Sequence, residues 1–178
     1  MSEKDSILSE YQLTENFEQH QNEFDLPVIQ TITFGNGKEY FVSRNGIPYL
    51  KAEVNEISEF FDKACIFGKY LCIGSGKTVI FVNLESFASL TMEVSKYFGY
   101  FFVHQDMLYI ASGKGIMAID SKLQTVWKND RLADDGVIIH EVLAPRDALR
   151  ISAQEALPYG EYWKEKLVSM KTGEQMIA

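Results

Sequence analysis

The chain contains the same short pattern twice. Residues 71–77 read Leu-Cys-Ile-Gly-Ser-Gly-Lys, and 37 positions later residues 108–114 read Leu-Tyr-Ile-Ala-Ser-Gly-Lys. Each copy leads into a second apolar run, at residues 79–83 and 116–120. Two apolar runs of strand length around a glycine-containing turn are typical of an antiparallel β-hairpin. A hairpin that recurs at a fixed spacing predicts a β-protein built from repeated units.

The hairpin belongs to a longer unit of four strands. Its clearest copy spans residues 99–130, and the copy before it spans residues 63–94. The predicted strands of the clearest copy are residues 101–104, 107–111, 116–119 and 123–128. Residues 28–54 and 137–170 contain further strand-like runs, which predict a partial unit at each end. The sequence therefore predicts one all-β domain over residues 26–178, with about three to four antiparallel sheet units.

The N-terminal segment, residues 1–25, is polar and differs in composition from the rest of the chain. The spacing of Ile7 and Tyr11 is typical of a short amphipathic helix, and a disordered terminus has the same composition. Both interpretations stay open. Helical character is also predicted for residues 57–63 and 145–157.

The clearest unit is similar to a known type of repeat. Residues 107–120 predict a short strand, a glycine-containing turn and a strand that ends in Asp120, and the next predicted strand ends near Trp127. This order resembles one blade of the β-propellers with quinoprotein-type repeats. The resemblance is clearest over residues 99–130 and weaker over residues 63–94.

The resemblance implies propeller-like sheets of about 40 residues each. A closed ring needs at least four blades, and the chain is long enough for about four only if its N-terminal region contributes one. We therefore expect an incomplete or open propeller-like stack of antiparallel sheets. None of the residues that bind quinone or metal cofactors in that family is recognisable in this sequence, so no cofactor is expected.

Residues 74–78, Gly-Ser-Gly-Lys-Thr, look like the end of a phosphate-binding loop. That motif requires its first glycine at the position of Leu71, and it begins a helix. Residues 79–82 are Val-Ile-Phe-Val, whose branched and aromatic side chains disfavour a helix. The sequence predicts a hairpin turn here rather than a nucleotide site.

Charge and cysteine usage narrow the class of protein. Lys and Arg number 17 against 25 Asp and Glu, a formal net charge of −8. This balance argues against a nucleic-acid surface and favours a basic protein partner. The polar start and the absence of an apolar run of about 20 residues argue against a signal peptide and a membrane helix, so we expect a cytoplasmic protein. Cys65 and Cys72 lack metal-site spacing and are predicted to be buried free thiols.

Catalytic motifs are weak. His104 and His140 are predicted to lie in corresponding strands of neighbouring units, and no Gly-x-Ser-x-Gly nucleophile motif occurs. The acidic loop at residues 128–136 lacks the alternating oxygen ligands of a calcium loop. A cleft that brings His104 and His140 near Trp163 would favour a small-molecule- or carbohydrate-binding protein, or an enzyme.

The aromatic run near the C-terminus is the predicted interaction surface. Tyr159, Tyr162 and Trp163 lie close together in the sequence, and Tyr and Trp are favoured anchors in protein interfaces. Together with the acidic composition, they favour a non-enzymatic protein-interaction module. A toxin-neutralising (immunity-type) protein or another regulatory binding protein fits this profile.

Overall fold

The structure is a computed structural model that describes residues 10–14, 28–31, 38–54, 61–157 and 160–177. In these ranges the chain forms sixteen β-strands in four sheets of four strands each. The first sheet contains β1 (Tyr11–Thr14), β2 (Val28–Thr31), β3 (Lys38–Arg44) and β4 (Ile47–Val54). The second contains β5 (Asp62–Phe67), β6 (Tyr70–Ser75), β7 (Thr78–Asn83) and β8 (Ser89–Glu93).

The third sheet contains β9 (Phe98–His104), β10 (Met107–Ser112), β11 (Ile116–Asp120) and β12 (Thr125–Asn129). The fourth contains β13 (Val137–Leu143), β14 (Ala148–Leu157), β15 (Gly160–Ser169) and β16 (Gln175–Met176). A single 3-10 turn at Ala144–Arg146 joins β13 to β14. The prediction of an all-β chain with repeated sheet units is confirmed.

Strand order is sequential in the last three sheets, where each strand pairs antiparallel with its neighbour in the chain. The first sheet has the order β1-β3-β4-β2, in which β2 runs parallel to β4 and the other pairs are antiparallel. Within the described ranges, none of the four sheets closes on itself. The open, propeller-like arrangement of the sheets therefore stays a prediction from the resemblance.

The sheets pack face to face in chain order, with an apolar cluster between each neighbouring pair. Side chains alternate along a strand, so a strand inside the stack contributes to two clusters. Leu71 and Ile73 of β6 pack against the first sheet, whereas Cys72 packs against the third. Burial on both faces explains why the repeated runs are continuously apolar rather than alternating.

The two glycine-containing turns that first suggested the repeat are confirmed as hairpin turns. β6 and β7 pair antiparallel up to Ser75 opposite Thr78, and no helix follows Lys77. Each turn also holds the segment that enters the next sheet. The amide of Phe98 donates to the Gly76 carbonyl at 2.7 Å, and the amide of Leu132 donates to the Lys114 carbonyl at 3.1 Å.

The outward face of the fourth sheet is polar around Arg150 and Ser152. Arg150 donates to Glu141 at 2.8 Å and to Glu165 at 3.3 Å, and His140 shares a hydrogen bond of 2.7 Å with Ser152.

Two secondary-structure predictions are wrong. Residues 11–14 form β1, whose Tyr11 and Leu13 face the cluster between the first two sheets, so this part of residues 1–25 is neither helical nor separate from the first sheet. The helix predicted over residues 145–157 is mostly the strand β14, which has a partner strand on each side. Of the helix predicted at residues 57–63, residues 57–60 lie outside the described residues and Asp62 begins β5. In the described ranges no helix has the length and apolar composition needed to cross a membrane.

Candidate functional site

A β-hairpin arm projects from the fourth sheet. The pairing of β13 with β14 ends at Ala153, whereas β14 and β15 stay paired as far as Leu157 and Gly160. The base of the arm is fixed by the preceding loop, because the Gln154 amide donates to the Gly136 carbonyl at 2.9 Å. The arm, residues 154–163 apart from the undescribed 158 and 159, is therefore an ordered extension of the sheet.

Trp163 lies on one face of the arm and borders a cavity of about 220 Å³. The cavity is lined by residues of the third and fourth sheets, by the segments that lead into them, and by Phe61 immediately before β5. Phe61, Tyr97 and Ile138 supply apolar surface. The rings of Phe61 and Tyr97 stack with centroids 5.8 Å apart and planes 11° apart. Trp163 approaches Gly136 so closely that a Cβ at this glycine would lie 3.1 Å from the indole Cη2.

The wall of the cavity is held by hydrogen bonds. The Tyr97 hydroxyl donates to the Asp135 carbonyl at 2.6 Å. The Tyr100 hydroxyl donates to the Ile139 carbonyl at 3.1 Å and accepts from the Ile139 amide. Burial raises the pKa of Tyr100, so this hydroxyl keeps its proton throughout the ordinary pH range. The side chains of Tyr97 and Tyr100 are therefore held in place by hydrogen bonds to the loop and strand that follow the third sheet.

Asp135, which lines the cavity, forms a salt bridge. Lys96 Nζ lies 2.6 Å from Asp135 Oδ1 and also donates to the Asp134 carbonyl at 3.3 Å. The hydrogen bond from Lys96 lowers the pKa of Asp135 below its ordinary value of 3.8, and Tyr97 contributes in the same direction. The carboxylate form is therefore favoured in the folded protein.

This lowered pKa gives a pH prediction. Because the folded state binds the Asp135 proton less well than the unfolded state does, the salt bridge stabilises the fold above the ordinary pKa and its contribution is lost as pH falls through the folded value. Both partners are partly exposed, so we expect a contribution below about 1 kcal/mol. Urea midpoints between about pH 5 and pH 2.5 should fall less steeply for Asp135→Asn than for the wild type. Identical slopes for the two proteins would contradict the assignment.

Tyr162 lies on the opposite face of the arm from Trp163, because neighbouring residues of a strand point to opposite sides. Its hydroxyl donates to Glu155 at 2.6 Å, and Glu155 is 2.7 Å from Lys166. Lys166 in turn donates to the Leu132 carbonyl at 2.7 Å. Tyr162 therefore contributes to a polar network that ties the arm to the loop between the third and fourth sheets.

The structure therefore does not bring the three residues of the predicted interaction surface together. Trp163 lines the cavity, and Tyr162 forms a hydrogen bond on the opposite face of the arm. Tyr159 lies outside the described residues. Phe61, Tyr97 and Ile138 were not predicted, because exposure of an apolar side chain beside a cavity has no local sequence signal. Only the position of Tyr97, immediately before the clearest repeat unit, hints at a place between two sheets.

Neither histidine lines the cavity beside Trp163. His140 bonds to Ser152 on the outward face of the fourth sheet, the face to which Trp163 also belongs through its pairing with Gln154. His104 ends β9, about 13 Å along the strand from Tyr100, which lines the cavity. His104 is therefore too far away to line the same pocket. Among the residues that the structure describes, no group of three or more His, Cys, Asp or Glu is arranged to hold a metal ion.

Comparisons with protein-family models and with curated proteins gave no match to this sequence. The assignment of the site therefore rests on its geometry.

Proposed function

We propose that this chain is a non-enzymatic protein-interaction module that binds its partner with the Trp163 side of the arm. The observation that carries the proposal is a tryptophan that is 49% exposed, on an ordered arm, beside a pre-formed aromatic cavity. Tryptophan is among the residues most enriched at binding hot spots. An exposed indole costs free energy in water, which a partner surface would recover.

Other apolar side chains extend the surface around Trp163. Phe61 is 44% exposed and Ile138 is 40% exposed, and both line the same cavity as Trp163. Large exposed apolar residues that cluster together indicate an interaction surface more strongly than the same residues scattered singly. The cavity volume lies below the range of about 300–1,000 Å³ usual for small-molecule sites. It fits one apolar side chain of a protein partner better than a free ligand.

The outer edge of β15 supports the same conclusion. β16 pairs only with Leu167 and Val168, so among the described residues no strand covers the outer edge of β15 from Gly160 to Lys166. β16 contains only two residues, whereas β8 and β12, the fourth strands of the second and third sheets, each contain five. An open edge of this kind offers backbone donors and acceptors to an extended segment of a partner. The partner we propose therefore combines an extended segment with an apolar anchor.

The charge of the chain favours a basic partner. A net charge of −8 speeds encounter with a positively charged protein at moderate ionic strength. Toxin-neutralising (immunity-type) proteins and other regulatory binding proteins are the functional classes that combine an acidic surface with capture of a basic protein. We place this chain among them as a proposal.

Affinity capture with matched variants tests the proposal. Wild type, Trp163→Ala and Ile47→Ala are immobilised and exposed to an extract of the organism that encodes the chain. Ile47 is the control because it is 69% exposed and lies in the first sheet. We expect a basic protein that wild type and Ile47→Ala retain equally and that Trp163→Ala binds at least about tenfold more weakly.

The free energy of unfolding of wild type and both variants must be measured in parallel with the capture experiment. Trp163→Ala is expected to change the free energy of unfolding by less than about 1 kcal/mol, because the side chain is half exposed. A partner retained equally by all three proteins would show that binding uses another surface. Turnover of a small molecule that is abolished by His140→Ala would favour the alternative, an enzyme.

A further inference from the structure

The only two cysteines of the chain lie opposite each other in one hairpin. Cys65 of β5 and Cys72 of β6 are direct partners in the antiparallel register. Directly opposite residues have Cα atoms about 4.5–5.5 Å apart and side chains on the same face of the sheet. Disulfides require Cα atoms about 4.4–6.8 Å apart. The backbone therefore already has the separation that a disulfide needs.

We propose that Cys65 and Cys72 form a reversible thiol–disulfide site that is oxidised by a low-molecular-weight disulfide such as oxidised glutathione. The proposal is independent of the proposed partner binding. Both cysteines are free thiols in this structure and pack into the cluster between the second and third sheets. A bond between them would link the strands without changing their register.

The two thiols differ in their exposure to solvent. Cys65 is half-buried, whereas Cys72 is fully buried. Burial also raises the pKa of Cys72, which leaves it as a thiol at neutral pH. Only a thiolate attacks a disulfide, and it must reach its target. Cys65 is therefore the entry point and Cys72 the resolving group.

The reaction has two balanced steps. The Cys65 thiolate attacks oxidised glutathione, forming a mixed disulfide and releasing one glutathione thiolate. Cys72 then gives up its proton to solvent and attacks the Cys65 sulfur, which forms the intramolecular disulfide and releases the second glutathione. The two cysteines lose two electrons in total, and oxidised glutathione gains them.

The bond should be readily reversed. Opposite Cβ atoms in a sheet are about 4.5–5.5 Å apart, whereas a disulfide holds them at about 3.8 Å. The strands must close slightly, and strained disulfides have higher reduction potentials than relaxed structural ones. We therefore expect a switchable bond rather than a permanent one.

The test is a glutathione titration of the folded protein. After equilibration at graded ratios of reduced to oxidised glutathione, free thiols are alkylated and the intact mass is measured. Wild type should lose both thiols without gaining a glutathione adduct, remain monomeric, and regain both thiols with dithiothreitol. In Cys72→Ser the reaction should stop with glutathione on Cys65. In Cys65→Ser the Cys72 thiol should react at least about tenfold more slowly than Cys65 does in Cys72→Ser.

Three outcomes would overturn the proposal. They are that wild type keeps both thiols at every ratio, that it accumulates a stable glutathione adduct, or that it forms disulfide-linked dimers. Thermal unfolding of each variant, measured in parallel, shows whether a loss of reactivity reflects a loss of structure instead. If Cys65→Ser or Cys72→Ser fails to fold, the intact-mass result on wild type alone still decides between the intramolecular disulfide and these outcomes.

Discussion

Trp127→Ala is expected to lower the free energy of unfolding by about 3–5 kcal/mol, the range for removing a large buried aromatic side chain. Trp127 is 7% exposed and packs in the cluster between the third and fourth sheets, with its ring centroid 6.0 Å from that of Tyr109. Its indole N–H also donates to the Met170 carbonyl at 2.7 Å. The substitution removes packing and leaves that carbonyl without its donor. Urea denaturation followed by far-ultraviolet circular dichroism measures the loss.

Two further variants separate the packing from the hydrogen bond. Trp127→Phe keeps an aromatic ring but no N–H donor, so we expect a smaller loss than for Trp127→Ala, of about 1–3 kcal/mol. Trp163→Ala, at the other tryptophan of the chain, should cost less than about 1 kcal/mol. Equal losses at Trp127 and Trp163 would contradict the division into a structural and a surface tryptophan.

Gly115→Ala is the second substitution with a large expected effect, a loss of about 3 kcal/mol from overpacking. A Cβ at this position would overlap the Asn129 carbonyl oxygen and lie 2.9 Å from Asp130 Cα. Neither group can move freely, because Asn129 is paired with Ile116 in the third sheet. The glycine itself is held as well, since its carbonyl accepts the Ser112 amide at 2.8 Å.

The neighbouring lysine provides the control for Gly115. Lys114 lies in the same turn and is exposed, so Lys114→Ala should change the free energy of unfolding by less than about 0.5 kcal/mol. Both variants are compared by their urea midpoints. If Gly115→Ala unfolds at the wild-type midpoint, the close packing of this turn against β12 is wrong.

The parts of the fold that the sequence predicted are the local ones. The hairpin between β6 and β7 needs only a turn of two residues and apolar flanks, so its pattern is readable in a short window. β1 was missed because its partner lies far along the chain: Tyr11 pairs with Arg44. The strand β14 was predicted as a helix because its pairing with β13 and β15 outweighs the local preference of its residues.

The candidate site was only partly predictable for a related reason. Trp163 was identified because tryptophan is a favoured anchor wherever it is exposed, and the sequence placed it in an aromatic run. Its cavity requires Phe61 from the start of the second sheet and Tyr97 from the loop before the third. Those residues come together only when the sheets stack, so no local sequence pattern predicts that they share a cavity.

Trp163 fluorescence tests the central claim most directly, because it observes the proposed contact itself. In Trp127→Phe, Trp163 is the only tryptophan, and in Trp163→Phe only Trp127 remains. When the partner retained in the capture experiment is titrated in a tryptophan-free form, emission from Trp163 should shift to shorter wavelength as the indole leaves water. Emission from Trp127 should stay unchanged. Saturable binding with no change in Trp163 emission would contradict the proposal that this surface holds the partner.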